Sequence, residues 1–247
     1  MNPESKCIKI ENMSTGYGKK KILFDINAVF PAGEMTVILG ENGSGKTTLL
    51  RAIAGLLKYE GSIKVDDLEI RDLTPRQTAE KIALLAQTNS AYFSFTVEET
   101  VRMGRYRFHK GIFDTFNEED EKCVNDCLKE CGIEDIRGER IKELSGGQLQ
   151  RVYIAQMYAQ ESDYIFLDEP TNHLDLKHRF QLEEALKASK QSTIAVYHDI
   201  RSAFDIADNI VLMKSGRIMA FDKPGNLLSN EILNETFEMD MKAYLKR

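Results

Sequence analysis

The chain has 247 residues, of which 42% are hydrophobic and 29% charged, enough for one large globular domain or one domain with an inserted lobe. Its formal net charge of −6 argues against nucleic acid as the main partner, because such proteins carry a basic footprint. No apolar run approaches the roughly 18 residues of a membrane span, and the first nine residues lack the apolar segment of a secretory signal. We therefore expect a cytoplasmic protein that relies on another chain for any membrane span.

The first part of the chain predicts strands that lead into a glycine-rich loop. Residues 8–13 alternate like a strand, and residues 22–30 indicate a second strand after a turn at 16–18. Residues 35–39 form a short apolar run, which is typical of a buried parallel strand. Apolar residues recur at helical spacing after the loop at 40–47, so this loop joins a strand to the N-terminus of a helix.

The loop GENGSGKT at residues 40–47 fits the phosphate-binding pattern G-x-x-x-x-G-K-[ST] completely. Its glycines permit positive φ and a close backbone approach, so that N–H groups converge on an anion. Lys46 brings a mobile charge to the β- and γ-phosphates, and Thr47 offers a hydroxyl to Mg²⁺. The complete match between strand and helix disfavours an incidental glycine-rich turn. The predicted nucleotide-binding residues here are Gly40, Glu41, Asn42, Gly43, Ser44, Gly45, Lys46, Thr47 and Thr48.

The next segments predict two strands and then a mostly helical region. Residues 61–67 and 82–85 read as strands, and Gln87 follows the second, where its amide would reach Mg²⁺ or the attacking water. From Thr96 the spacing becomes helical as far as residue 160, with Thr96 and Asn117 in the places of N-caps. The acidic residues after Asn117 suit the positive end of a helix and need no ligand to explain them.

Three of the four cysteines, Cys123, Cys127 and Cys131, lie on one helical face. They either hold a metal or line a buried stripe with Val124 and Leu128, since thiols behave as small hydrophobes. The stripe is favoured because there is no close-spaced cysteine pair or nearby histidine. In a cytoplasmic chain all four cysteines are expected to be thiols.

Two later strands end in candidate catalytic side chains. Residues 164–167 precede Asp168 and Glu169, and the carboxyl end of a strand is the ligand edge of an α/β sheet. There Asp168 would hold Mg²⁺ through water and Glu169 would orient or deprotonate the attacking water, although such a pair alone is often an exposed turn. His198 follows the strand at 193–197 and either bonds the γ-phosphate or is structural.

Two further signals are ambiguous by themselves. Ser145, Gly146, Gly147 and Gln148 open a helix, with Ser145 as the N-cap and exposed N–H groups at a positive helix end. These residues form either a second anion site or an ordinary helix start that binds no ligand. Tyr17 either stacks on an adenine ring or is an ordinary turn aromatic.

In chain order, these groups resemble the motif series of ATP-binding-cassette (ABC) ATPase subunits. The series comprises Tyr17, residues 40–47, Gln87, residues 144–148, Asp168 with Glu169, Asp175 and His198. The resemblance implies ATP and Mg²⁺ as ligands and a head-to-tail dimer in which each ATP lies between the phosphate loop of one subunit and the signature helix of the other. Ser145 and Gly147 would then contact the γ-phosphate in trans, and Asp175 would belong to the loop beside the nucleotide.

The same resemblance implies roles, fold and domains. Lys46, Gln87, Glu169 and His198 would be catalytic, and Thr47, Gln87 and Asp168 would hold the metal. The fold would be α/β: a P-loop nucleotide-hydrolase core with a mixed sheet, an antiparallel β subdomain and an inserted helical lobe. The single domain would comprise a core at 1–89 and 161–222, a lobe at 90–160 and a C-terminal helical appendage at 223–247.

A finer resemblance is to the cassettes of iron-siderophore, haem and cobalamin importers. It rests on residues 96–105 (TVEETVRMGR), 172–175 (NHLD) and 197–200 (YHDI). Residues 106–109 and Gln156 depart from the pattern, since relatives usually carry a proline and an arginine at these places, so the precise substrate stays open. The expected function is an importer ATPase for a ferric siderophore or related chelate, on the inner face of the cell membrane.

The expected partners are a second cassette, polytopic permease subunits and an extracytoplasmic substrate-binding protein, with no nucleic acid. One alternative is a soluble cassette ATPase acting on ribosomes or DNA, which the acidic net charge disfavours, as does the lack of a second cassette, a coiled coil or a basic linker. Another is a non-enzymatic, nucleotide-gated module, against which the full set of Lys46, Asp168, Glu169 and His198 argues.

Overall fold

The computed structural model describes residues 6–85, 95–109, 116–172, 174–188, 191–228 and 231–245. Numbered along the chain, its strands are β1 (Cys7–Tyr17), β2 (Lys20–Pro31), β3 (Met35–Gly40), β4 (Tyr59–Val65), β5 (Leu68–Glu69), β6 (Ile82–Leu85), β7 (Tyr164–Asp168), β8 (Ser192–Val196), β9 (Asn209–Lys214) and β10 (Arg217–Asp222). The α-helices are α1 (Lys46–Ile53), α2 (Pro75–Lys81), α3 (Val97–Arg102), α4 (Glu118–Glu130), α5 (Gly146–Ala159), α6 (Leu176–Ala188), α7 (Ile200–Ile206), α8 (Pro224–Leu228), α9 (Glu231–Phe237) and α10 (Met241–Leu245).

The central sheet has the strand order β10-β9-β3-β8-β7-β6. Strands β9, β3, β8, β7 and β6 run parallel, and β10 pairs antiparallel with β9. Every residue of β3, β7 and β8 is buried, as expected for strands covered on both faces. Because parallel strands end along one edge, the loop after β3, Asp168 at the end of β7 and His198 after β8 meet there.

A second, antiparallel sheet with the order β2-β1-β4-β5 covers one face of the central sheet. Its inward side chains, among them Ile8, Met13 and Ile26, join one hydrophobic cluster with Ile38 of β3 and Leu49 of α1. The predicted class, an α/β P-loop core with a mixed sheet, an antiparallel subdomain and an inserted helical lobe, is confirmed.

The opposite face of the central sheet carries a separate cluster. There Leu39 packs with Leu182 and Leu186 of α6, Ala203 of α7 and Leu233 of α9. Alternate residues of β3 therefore serve different cores, which is the expected consequence of a strand's two-residue period. The three short C-terminal helices lie after β10, where the sequence predicts helical structure.

Helices α3, α4 and α5 lie between β6 and β7 and have a core of their own, with Val97, Val124, Leu128 and Val152 at its centre. Cys127 is buried in this core, and all four cysteines are free thiols. No group of three or more His, Cys, Asp or Glu side chains suited to a metal occurs in the described ranges. Cys123 and Cys131 are partly buried and pack against the same core, as the stripe interpretation predicts.

Arg105 also joins the parts of this helical region. Its side chain is 3% exposed and makes ion pairs with Asp120 at 2.9 Å and Glu161 at 2.6 Å. Such a buried charge requires ionic partners, because a buried guanidinium without a carboxylate beside it would be an uncompensated ion.

Capping boxes begin the three helices at the predicted N-caps Thr96, Asn117 and Ser145. One local prediction was wrong: Tyr17 is the last residue of β1, and the turn lies at Gly18–Lys19. The β1–β2 pairing extends to Tyr17 opposite Lys20, so β1 continues up to Gly18 although the glycines at 16 and 18 suggest an earlier turn. No helix in the described part of the chain combines the length and apolarity that crossing a membrane requires.

Candidate functional site

The glycine-rich loop runs directly from β3 into α1, and two of its glycines adopt a conformation that other residues rarely take. Gly43 and Gly45 have φ of 80° and 104°. A Cβ atom at Gly45 would lie 2.6 Å from Leu23 Cδ2, whereas one at Gly43 would meet nothing within 4 Å. The loop therefore leaves its N–H groups at the N-terminus of an eight-residue helix, where the helix dipole favours an anion.

Lys46 lies inside this loop and is 5% exposed. Its Nζ atom donates to the carbonyl oxygens of Gly40 at 2.8 Å and Glu41 at 3.0 Å. Burial lowers the pKa of Lys46, while the negative charges of Glu169 and Asp168 oppose that shift. An ammonium group has three donors, so these two bonds orient Lys46 and leave one donor for a phosphate oxygen.

Thr47 and Asp168 join the loop to the end of β7. Thr47 Oγ1 donates to Asp168 Oδ1 at 3.0 Å, and Asp168 is 4% exposed. Burial raises the pKa of Asp168, whereas the bond from Thr47 favours its ionised form. A hydroxyl and a carboxylate are the hard oxygen ligands that Mg²⁺ prefers.

The loop also presents a buried polar atom that lacks a partner. Ser44 Oγ makes no hydrogen bond within the described ranges, although Ser44 is 4% exposed. Glu41, Asn42 and Gly43 are exposed at the loop surface, and Thr48 is buried in the first turn of α1. An unpaired buried hydroxyl in a glycine-rich loop at a helix N-terminus fits a phosphate, and the adjacent oxygen pair of Thr47 and Asp168 fits its metal.

Glu169 follows Asp168 in a strained conformation with φ of 56°. Its N–H donates to the carbonyl oxygen of Val196 at 3.1 Å, which fixes this turn to the end of β8. Glu169 Oε1 is hydrogen-bonded to His198 Nε2, and Glu169 Oε2 accepts from Asn172 Nδ2. The two predicted catalytic side chains are thus in direct contact, and Asn172 is a third member of the group.

Ser145 and Gly146 are exposed at the start of α5, with Gly147 and Gln148 behind them. Gln148 N–H donates to Ser145 Oγ at 3.3 Å, and Gln148 Oε1 accepts from Ser145 N at 2.9 Å. Within the described part of the chain, no hydrogen bond joins these residues to the phosphate loop.

The remaining predicted residues are Asp175, Tyr17 and Gln87. Asp175 precedes α6, where its carboxylate accepts from His178 N at 2.9 Å. Tyr17 is 44% exposed, and its hydroxyl oxygen accepts from Arg51 Nη1 at 3.4 Å. Gln87 lies outside the described residues.

The sequence did not predict the bond of Asn172 to Glu169 or the bond of Arg51 to Tyr17. The position of Arg51 on α1, one turn after Thr47, is a signal that could have indicated its contact.

A parallel P-loop sheet with a metal-suited oxygen pair and a carboxylate–histidine contact defines a nucleotide-dependent enzyme. The ABC transporter family matches residues 23–172 of the chain. The chain therefore belongs to the ABC transporter family, and it is an ATPase of the ABC type.

Curated relatives cover nearly the whole chain. The Uncharacterized ABC transporter ATP-binding protein YvrA of Bacillus subtilis is 36% identical over 96% of this chain, which spans 54% of that relative. The Probable siderophore transport system ATP-binding protein YusV of the same organism is 36% identical over 96% of this chain and 88% of its own length. The Petrobactin import ATP-binding protein YclP, also of B. subtilis, is 35% identical over 94% of this chain and 93% of its own.

Solved structures agree in fold. The dimeric structure of the bacterial ABC transporter cassette MJ0796 has a TM-score of 0.79 and 30% identity, covering 88% of this chain and 98% of its own. A transporter assigned to the metal-chelate type, in an inward-facing conformation, has a TM-score of 0.79 and 26% identity over 94% of this chain and 89% of its own.

Proposed function

We propose that this chain is the ATP-binding and ATP-hydrolysing subunit of a membrane importer for a ferric siderophore or a related iron chelate. The ATPase part of the proposal rests on two contacts along one sheet edge, that of Thr47 with Asp168 and that of Glu169 with His198. The transport half is supported by relatives whose names describe siderophore transport and petrobactin import.

In the proposed mechanism, Thr47 and Asp168 hold Mg²⁺, with Gln87 as a further ligand. The metal, when bound, offsets charge on the phosphate oxygens. Lys46 and the N–H groups of the loop neutralise the β- and γ-phosphates in the same way.

The chemical step would be made by Glu169 and His198. Glu169 Oε orients the attacking water in line with the γ-phosphorus and accepts its proton as the new P–O bond forms and the bond to the ADP oxygen breaks. His198 fixes the rotamer of Glu169 through Nε2 and, once nucleotide is bound, also bonds the γ-phosphate.

The second anion site would act in trans. Ser145 is the exposed N-cap of α5, and a second copy of the chain would bring Ser145 and Gly147 to the ATP held by the phosphate loop. In this arrangement Asp175 faces the partner and Tyr17 stacks on adenine. ATP binding would then favour the closed dimer, and loss of the γ-phosphate would reopen it.

The proposed division of the chain follows these roles. Residues 1–89 and 161–222 form the ATP-binding core, residues 90–160 form the signature lobe, and residues 223–247 form an appendage. The lobe would contact polytopic permease subunits, which places the cassette on the inner face of the membrane. An extracytoplasmic substrate-binding protein would complete the importer.

Import of cobalamin or haem is the nearest alternative, since the motifs of this chain resemble those of cobalamin and haem importers as well as those of siderophore importers. A soluble cassette acting on ribosomes or DNA is less favoured because the net charge is −6.

The proposal is tested in the source cells by deleting the gene and restoring either the wild type or Glu169→Gln. Wild type should restore uptake of a ⁵⁵Fe-labelled siderophore, whereas Glu169→Gln should not, although both co-purify with the same polytopic membrane protein. Uptake that is unaffected by the deletion would contradict the iron-chelate assignment. Failure of the tagged protein to co-purify with any polytopic membrane protein would contradict transport altogether.

A further inference from the structure

The segment that carries His198 is short. It joins Val196, the last residue of β8, to Ile200, the first of α7, through Tyr197, His198 and Asp199. Asp199 caps α7, because its Oδ1 atom accepts from the backbone N–H groups two and three residues later, at 3.0 and 3.4 Å. One carboxylate oxygen of Asp199 thus caps α7, and the other can accept from a side-chain donor.

That other oxygen is held by Arg179 of α6. Arg179 Nη2 donates to Asp199 Oδ2 at 2.5 Å and to Ser202 Oγ at 2.6 Å, and its Nε donates to Glu183 at 3.1 Å. Burial opposes the charge of Arg179, but its bonds to Asp199 and Glu183 raise its pKa. The pKa of Asp199 is lowered in spite of burial, chiefly by Arg179. Both groups therefore stay charged near neutral pH.

Arg179 belongs to the first turn of α6, the turn that Asp175 begins. Its backbone N–H donates to the carbonyl oxygen of Asp175 at 2.9 Å, while the Asp175 side chain is 65% exposed. The first turn of α6 is therefore linked to the solvent-exposed carboxylate of Asp175 and carries Arg179, which contacts Asp199 beside His198. A displacement of this turn must move both.

The residue before His198 is Tyr197, the first residue after β8. Tyr197 is 1% exposed, and its hydroxyl has no hydrogen-bond partner within the described ranges. Burial raises the pKa of Tyr197, Glu183 raises it further and Arg179 lowers it. His198 thus lies between Tyr197, which is held by burial, and Asp199, which is held by Arg179.

We propose that Arg179 is a positioning residue that holds His198 against Glu169 and couples this contact to the first turn of α6, which faces the second copy. The inference rests on the proposed function. Closure of the dimer on Asp175 would then shift α6, Arg179 and Asp199 together and set the histidine for hydrolysis. The competing possibility is an ion pair that only fastens α6 to α7.

The test uses purified full-length variants. Arg179→Met removes the charge and the fork of donors, and Arg179→Lys keeps the charge. Asp199→Asn breaks the ion pair but keeps the helix cap, since Asn and Asp are equally good N-caps. Arg76→Met is the matched control, because Arg76 makes an exposed i,i+4 pair with Glu80 on α2.

We expect Arg179→Met to lower kcat for ATP by about 10- to 100-fold, as expected for a small misplacement at the reacting centre. Its KM for ATP and its Tm should stay near the wild-type values, Arg179→Lys should recover most of kcat, and Arg76→Met should change nothing. Asp199→Asn should cost as much as Arg179→Met, and the double variant no more than either. Long-range ¹H–¹⁵N spectra should show one imidazole tautomer of His198 in the wild type and a mixture in Arg179→Met.

A lower Tm with an unchanged kcat and an unchanged His198 spectrum would overturn the proposal and show that the ion pair only holds α6 against α7. The proposal would also be overturned if the double variant lowered kcat by the product of the two single effects. Should Arg179→Met fail to fold, Asp199→Asn alone decides the outcome by the same measurements. If Glu169→Gln keeps full turnover, the proposed role of Glu169 in hydrolysis fails instead, so the two failures are distinguishable.

Discussion

Thr47 Oγ1 donates a hydrogen bond to Asp168 Oδ1 over 3.0 Å, which joins two residues 121 positions apart in the chain. The contact exists because β3 and β7 are separated only by β8 in the sheet and all three end at one edge. We expect its main consequence to be in metal-dependent chemistry.

Removing the carboxylate should therefore separate metal dependence from nucleotide binding. In Asp168→Asn, we expect ATP turnover with Mg²⁺ to fall by about 100-fold or more, because metal stabilisation of phosphate charge is lost. Binding of ATP in the presence of EDTA should be unchanged, as measured by fluorescence of a labelled nucleotide. Asp163→Asn, an exposed carboxylate paired with Lys81 at 2.7 Å, is the control. Equal loss in both variants would contradict a metal role for Asp168.

Glu169 is predicted to act on the water rather than on nucleotide affinity. Glu169→Gln should lower turnover by about 10²- to 10⁴-fold, the usual contribution of a general base, while ATP binds as before. The measurement is phosphate release beside equilibrium binding of the same nucleotide. Glu184→Gln, on the exposed side of α6, should behave as wild type. Retention of turnover in Glu169→Gln would assign the water to another group.

The two left-handed glycines of the loop should differ in their tolerance of alanine. Gly45→Ala introduces a methyl group 2.6 Å from Leu23 Cδ2 as well as an unfavourable φ, whereas Gly43→Ala meets no atom within 4 Å. We expect Gly45→Ala to cost about 2–4 kcal/mol in the free energy of unfolding and Gly43→Ala about 1–2 kcal/mol. Urea titration with and without ATP measures both, and equal costs would show that Leu23 moves aside freely.

A stability prediction concerns Glu69, which lies in the antiparallel sheet. Tyr59, Ser62 and Arg71 donate to its carboxylate at 2.9, 2.6 and 2.8 Å. Burial alone would raise the pKa of Glu69, but these bonds lower it from 4.5 to about 2. The folded state therefore gains stability above the ordinary value of the pKa, and this gain disappears as the pH falls from about 4.5 through about 2.

Glu69→Gln should accordingly lower the free energy of unfolding by about 1–2 kcal/mol at pH 7, allowing for solvent screening. The difference from wild type should shrink as urea titrations are repeated from pH 5 to pH 3. Glu60→Gln, whose exposed carboxylate pairs with Lys21, is the control and should show little difference at any pH. A difference that grows in acid would contradict the depressed pKa of Glu69.

The sequence predicts the loop, the strand ends and the helix caps because each depends on residues that are close in the chain. Gly45, Thr96 and Ser145 act within one turn of their own positions, so the neighbouring residues in the sequence are enough to predict a loop glycine and two helix caps. The fold class and the meeting of Thr47 with Asp168 required the motif series as a whole, since strand order is not a local property.

What the sequence did not predict depends on register and side-chain direction. β10 was missed because residues 217–222 lie half-buried at a sheet edge and lack the continuous apolar run of β3. The Arg179–Asp199 pair joins two residues 20 positions apart in the chain, and nothing in the sequence around either one indicates the other. Asn172 was named as part of a motif, but its bond to Glu169 follows from the turn that the positive φ of Glu169 creates.

The central claim is that each reaction centre is shared between two copies of the chain. It is tested most directly by sedimentation velocity of Glu169→Gln with Mg²⁺–ATP, with Mg²⁺–ADP, and with the added change Ser145→Arg. We predict a dimer with ATP, a monomer with ADP, and a monomer that still binds ATP when Ser145→Arg is present. A Glu169→Gln protein that binds ATP at one per chain but stays monomeric, or that dimerises equally well with Ser145→Arg, would contradict the account.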